Sequence, residues 1–196
     1  MPTPSAQRRW RAASDGVELQ TPRLTLDALR SGDADALFAY RGDPVVSRYQ
    51  GWQPVSRDEA ADWIAALAAE PVPGRWWQRA IRLRESGELI GDLGLSLPED
   101  EKGSVEFGVT LAPAHQGRGY AGEAVRTALG WAFARGANRA TASVDPRNTA
   151  CVALLCSLGM RQEAHFRESY WLRSEWADDL VFALLAREWD PGARTG

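Results

Sequence analysis

The clearest pattern in the chain is an alternation. Val105, Phe107, Val109 and Leu111 take turns with Glu106, Gly108 and Thr110, the period of a strand with one buried face. A few residues later the period changes. Ala121, Ala124, Val125, Ala128, Leu129, Ala132 and Phe133 recur at helical spacing and form one apolar stripe, which Gly136 is placed to end. Upstream, Leu24-Thr25-Leu26 reads as a first strand, and Asp33 to Arg41 as a short helix stopped by Gly42-Asp43-Pro44. Ser56-Arg57-Asp58-Glu59 is a capping-box pattern, so a helix is predicted from there to about Glu70, before Pro71 and Pro73. Ile81 and Leu83 alternate with arginines, the turn Glu85–Glu88 follows, and Leu89 to Leu97 supplies the hairpin partner. Residues 98–103 read as a polar loop. After the long helix come a strand over Ala140–Val144, a helix from Asn148 as N-cap to Gly159, and strands near Phe166–Trp171 and Leu180–Leu185. The order is strand, two helices, three strands, helix, strand, helix, two strands. It predicts a mixed α/β sheet in one domain of about residues 18–190, with tails over 1–17 and 191–196.

Composition narrows the function classes. At 196 residues one core is comfortable, and 44% hydrophobic with 25% charged residues is ordinary for a globular chain. A net charge of −3 argues against nucleic acid as partner, because tracking phosphates needs a basic surface. Cys151 and Cys156 are five apart in a predicted helix, so they diverge and suit neither a disulfide nor a metal clip. A reducing, cytoplasmic setting is expected. No apolar run suits a membrane span, and Arg8, Arg9 and Arg11 are not followed by the apolar stretch of a signal peptide.

The segment that carries chemistry is Gln116-Gly117-Arg118-Gly119-Tyr120-Ala121, between the alternating strand and the periodic helix. Two glycines permit a tight turn and a close backbone approach. The helix that follows presents unpaired N–H groups and the positive end of its dipole, a site for phosphate or diphosphate. Gly117, Gly119 and Gly122 also spell the dinucleotide fingerprint, but its context is wrong. That motif opens a doubly wound sheet, whereas here it follows a hairpin and too little chain remains for the other βα units.

With these segments in order, the chain resembles the GNAT-superfamily acetyltransferases of the ribosomal-protein (RimJ/RimL-type) branch. Gln116-x-x-Gly119-x-Ala121 matches the superfamily's diphosphate loop. Thr21-Pro22-Arg23-Leu24-Thr25-Leu26, Asn148-Thr149-Ala150-Cys151, Leu158-Gly159-Met160 and Glu188-Trp189 extend the match over roughly 18–190. The resemblance implies a single GNAT domain of the α/β (α+β) class, with a mixed, mostly antiparallel central sheet flanked by helices. It implies acetyl-CoA as co-substrate and no metal. Backbone groups of Val109, Thr110 and Leu111 would pair with the pantetheine arm. Amides of Gln116, Gly117, Arg118, Gly119, Tyr120 and Ala121 would hold the diphosphate, and Asn148 would contact the pantetheine; Asn148 reads equally as a helix cap. A homodimer follows from family habit alone.

The implied reaction is transfer of an acetyl group to a primary amine, either a peptide N-terminus or a small molecule. The amine must lose a proton before it attacks. Glu106, on the polar side of the strand leading to the cofactor site, is the candidate base; its bland reading is an exposed cross-strand charge. Where many relatives place an acidic Tyr, seven residues after the Asn, this chain has Leu155. Cys151 near the coenzyme sulfur either donates a proton or only packs. His115 and His165 read as structural. Trp52, Trp76, Trp77, Tyr170 and Trp171 are candidates for an aromatic acceptor wall, with Asp178 and Asp179 adding negative charge. The missing Tyr keeps open a silent acyl-CoA-binding or sensor protein, and a larger acyl group is a further alternative.

Overall fold

A computed structural model describes residues 17–99 and 103–192. The 1–17 tail, all but Val17, and residues 193–196 therefore lie outside the described residues, as does most of the acidic loop after Pro98. The elements run β1 (Leu19–Gln20), β2 (Leu24–Asp27), α1 (Ala34–Arg41), α2 (Pro44–Ser47), α3 (Arg57–Ala66), β3 (Trp76–Leu83), β4 (Leu89–Ser96), β5 (Ser104–Leu111), α4 (Tyr120–Ala134), β6 (Arg139–Val144), α5 (Thr149–Ser157), β7 (Arg161–Leu172) and β8 (Glu175–Leu185).

Among the described residues, eight strands form one sheet in the order β1-β2-β3-β4-β5-β6-β8-β7, in which only β5 and β6 run parallel. Period-2 alternation sorts its residues onto two faces. On one face α4 lays its stripe of Ala124, Val125, Ala128, Leu129 and Ala132 on Val105, Phe107 and Leu111. Each large apolar side chain buried there contributes roughly 1.5–3 kcal/mol relative to exposure. On the other face α1 and α3 bury Leu37, Tyr40, Ala60 and Ile64.

Under α1 lies a polar network. The fully buried Asp92 of β4 accepts from Tyr40 Oη at 2.7 Å, from Arg41 Nε and Nη2 at 2.9 and 2.5 Å, and from Gln78 Nε2. A buried carboxylate is tolerable only when so many donors replace its lost water. The network reaches the sheet surface where Arg41 Nη1 donates to Gln50 Oε1 at 3.0 Å and Gln50 Nε2 donates to Thr110 Oγ1 at 2.8 Å. The loop after α2 is thereby fixed over the polar face of β5.

Several boundaries differ from the sequence reading. The Asp43-Pro44 pair read as a stop also starts α2, because Asp43 Oδ1 accepts from Val45 N–H at 2.7 Å and proline suits the first helical position. The helix α3 ends at Ala66 rather than near Glu70, since Leu67 is already extended. β3 starts at Trp76, before the alternation becomes visible, and β7 is twelve residues long.

Candidate active site

The parallel ladder between β5 and β6 covers only Ser104–Glu106 against Arg139–Thr141. Beyond Glu106, β5 stays paired to β4 as far as Leu111, while β6 stays paired to β8 as far as Val144. The two strands therefore part, and the inner edge of Phe107–Thr110 borders a cleft of about 950 Å³. Peptide groups on such an edge need partners, and an extended amide-bearing ligand provides them. The cleft walls include Glu106, Gly108, Val109 and Thr110 from β5, and Asn148, Cys151 and Leu155 from α5 and its start.

From the end of β5 the chain turns through Pro113–His115 into the glycine loop. Gln116 Nε2 donates back to the Leu111 carbonyl at 3.0 Å, so its side chain braces the loop against the strand end. Gly117 and Gly119 have φ of +71° and +77°, the left-handed region in which glycine carries no Cβ penalty. Gly119 is the N-cap of the fifteen-residue α4, with no side-chain cap of its own. The first N–H groups of α4, from Tyr120 onward, thus open at a turn made of backbone, the arrangement that accepts an anion.

The catalytic candidates fall as follows. Glu106 borders the cleft just where the strands separate. Partial burial, and secondarily the Asp179 carboxylate, push its pKa upward. That shift favours a group that must accept a proton near neutral pH. Asn148 caps α5, its Oδ1 accepting Cys151 N–H at 3.1 Å, while it also borders the cleft, so the two readings of this residue are compatible. Its loop is held by Asp145, whose carboxylate takes Arg147 Nε and Nη2 at 2.9 and 2.6 Å. Burial pushes the Cys151 thiol up to about 11. Such a group stays a neutral thiol, and it is a weaker acid than an ordinary thiol near 8.5, so it is poorly suited to protonate a departing thiolate. Cys151→Ala is expected to keep kcat within a factor of about three, under 1 kcal/mol in barrier; steady-state thiol-release assays would measure it.

On the acceptor side, one assignment needs correction. Trp77 is 1% exposed and stacks on Trp131 of α4 at 4.6 Å between ring centroids. Adjacent strand residues face opposite ways, so Trp77 enters the core and its neighbour Trp76, 48% exposed, borders the cleft. The same alternation splits the acid pair. Asp179 faces the cleft and accepts from Ser143 Oγ at 2.5 Å, whereas Asp178 is paired with His165 Nε2 at 2.7 Å. Trp171 packs edge-on against Trp176 instead of entering this cleft. Trp52 and Tyr170 do border it, Trp52 stacked on Trp63 at 4.7 Å. Burial, and after it the nearby Asp145 and Asp179 carboxylates, raise the Tyr170 pKa, so its phenol stays neutral. His115 sits beside Glu88 and Tyr120, consistent with a structural role. Arg41, Gln50, Gln78, Trp63 and Ser143 also border the cleft and escaped the sequence reading; they come from separate elements, with no local motif to mark them.

Comparison with known proteins agrees with this fold. Residues 23–161 match the family described as the acetyltransferase (GNAT) domain. The chain is 34% identical over 173 residues to the uncharacterized N-acetyltransferase p20 of Bacillus licheniformis, covering 87% of this chain and 97% of that protein. Among solved structures, an acetyltransferase from T. thermophilus superposes with a TM-score of 0.77 at 27% identity, covering 93% and 95% of the two chains. Mycobacterium smegmatis RimJ in complex with CoA-disulfide gives 0.74 at 24%, covering 88% of each. The chain belongs to the GNAT acetyltransferase family and is an acyltransferase of that fold, in a family that uses acetyl-CoA.

Proposed function

We propose that this protein moves the acetyl group of acetyl-CoA to a primary amine by direct attack in a ternary complex. The observation that carries the reading is the cleft along the unpaired edge of β5, on a strand that leads directly into the left-handed glycine turn at the start of α4. The pantetheine arm takes the place of a strand along Val109–Leu111. The amides from Gln116 to Ala121 hold the diphosphate, and Asn148 faces the arm from the other wall.

The acceptor amine enters from the side of Trp52, Trp76 and Tyr170. Two cleft carboxylates, Glu106 and Asp179, have no cationic partner among the described residues. The cations nearby are already engaged, Arg41 by Asp92 and Arg147 by Asp145 and Glu175. The acceptor end is therefore net negative and aromatic, which suits an ammonium ion before deprotonation. Glu106 takes the proton, directly or through water, and the neutral nitrogen attacks the thioester carbonyl. Backbone N–H groups on the free edge of β5 stabilise the oxyanion, the nitrogen gives its second proton to water, the C–S bond breaks, and the coenzyme leaves as thiolate, protonated by solvent. No covalent enzyme intermediate is needed, because positioning the two reactants supplies much of the rate.

The test is incubation with acetyl-CoA and a library of peptides and small amines while free thiol is followed. Amine-dependent thiol release supports the reading. Coenzyme binding without release for any amine identifies a silent acyl-CoA binder instead.

A further inference from the structure

Thr21-Pro22-Arg23 lies about a hundred residues before the glycine loop in sequence, yet it is fastened to it. Thr21 Oγ1 donates to Glu123 Oε1, and Arg23 Nε donates to Glu123 Oε2 at 2.6 Å. Arg23 Nη1 donates to the Arg118 carbonyl at 3.0 Å, inside the loop itself. The Arg23 guanidinium lies over the Tyr120 ring, 4.5 Å from its centroid. Its last nitrogen, Nη2, lies 3.4 Å from where a side chain on Gly119 would begin, and has no hydrogen-bond partner among the described residues. The strand start is in turn held by Arg84, whose Nη1 donates to the Thr21 carbonyl at 3.0 Å.

A surface ion pair alone has little reason to be held by so many contacts, since exposed pairs contribute about 0–1 kcal/mol. The Arg23 side chain remains 47% exposed, so this guanidinium is fixed in place and still open to solvent. Glu123 is in the first turn of α4, where its charge competes with an incoming anion for the same helix terminus. Arg23 cancels that charge and adds a donor beside it.

We propose that Arg23 is a coenzyme-binding residue: the Arg118 carbonyl and the Tyr120 ring orient its guanidinium so that Nη2 meets the diphosphate held at Gly119, while its pairing with Glu123 cancels that carboxylate's charge. The inference rests on the coenzyme A reading above. Binding of CoA and of S-acetylpantetheine, which lacks the diphosphate, is measured by calorimetry for the wild type, Arg23→Gln and Glu123→Gln. Arg23→Gln is expected to weaken CoA about tenfold, the scale of one charge-assisted hydrogen bond, and to leave S-acetylpantetheine unaffected. Glu123→Gln breaks the same ion pair but removes a repelling carboxylate, so CoA binds as well as before or better. A purely structural pair predicts equal losses in both variants, and that result overturns the proposal, as does an unchanged CoA affinity in Arg23→Gln. If Arg23→Gln fails to fold, Glu123→Gln alone decides, because a tenfold loss there contradicts the assigned role. A wild-type protein that ignores CoA defeats the underlying reading itself, a failure distinct from either variant result.

Discussion

Gly119→Asp is expected to leave the protein folded and to weaken coenzyme A binding by roughly a hundredfold or more. Three effects act together. The backbone at Gly119 has φ +77°, a region where most side chains cost about 1–2 kcal/mol but where Asp is among the best tolerated. The position is at the positive N-terminal end of α4, which favours a carboxylate, and its Cβ would lie 3.4 Å from Arg23 Nη2, a cation. Folding therefore loses little. Binding loses much, because the new carboxylate occupies the amides that the diphosphate needs and repels it as well. One like-charge contact at 4 Å is worth about 4 kcal/mol at an effective dielectric of about 20. Partial cancellation by Arg23 leaves the hundredfold figure. Calorimetric titration with CoA, beside a thermal melt, measures both halves. Gly119→Ala adds the backbone strain to folding, about 1 kcal/mol, without a charge, so it should bind CoA far more tightly than Gly119→Asp. A wild-type Kd in Gly119→Asp would remove the glycine turn from the coenzyme site.

The sequence patterns carried most of the architecture because most elements here bury one face. The alternation of Val105–Leu111 and the stripe of Ala121–Phe133 are direct imprints of the sheet and of α4. β7 left only part of an imprint, the stretch near Phe166–Trp171. It is an edge strand exposed along most of its length, so Arg161 to Leu172 shows no continuous alternation to read. Nor could the pattern announce β1, whose two residues pair with Leu26 and Thr25. The Gly42-Asp43-Pro44 signal was ambiguous for a physical reason: Gly and Pro end one helix, and Asp with Pro begins the next.

The proposed coenzyme half of the site could be read from sequence because it is local. Strand, glycine turn and helix are consecutive, and the spacing of Gln116, Gly119 and Ala121 encodes the turn. The proposed acceptor half is assembled from the loop after α2, β3, β6, β7 and β8, so no short motif describes it. Even there, alternation decides what composition cannot. Trp76 against Trp77, and Asp179 against Asp178, are settled by the face on which each falls, and the register of β3 and β8 had to be seen first. The chemistry that remains least encoded is the general acid. Leu155 is buried in the core and Cys151 is a weak acid, which is why the proposed mechanism gives protonation of the departing thiolate to water.

Glu106→Gln is expected to lower kcat by about a hundredfold, the lower end of what general acid–base catalysis contributes, with the KM for acetyl-CoA little changed. Gln keeps the shape and leaves the coenzyme contacts of β5 and α4 in place, so the loss falls on proton removal. The pH profile is the sharper test. Partial burial and Asp179 raise the Glu106 pKa, and only its ionised form can act as base. Activity of the wild type should therefore fall as pH drops through a value above the ordinary glutamate figure of about 4.3, and this acid limb should vanish in the variant. Stability moves the other way. A carboxyl whose pKa is higher folded than unfolded contributes stability below its unfolded pKa and loses it as pH rises through the folded value, so the neutral Gln is no less stable at pH 7. Asp179→Asn provides the internal check: with its neighbour's charge gone, the acid limb should shift to lower pH while kcat at its plateau persists. An acid limb that survives unchanged in Glu106→Gln would assign the proton to another group.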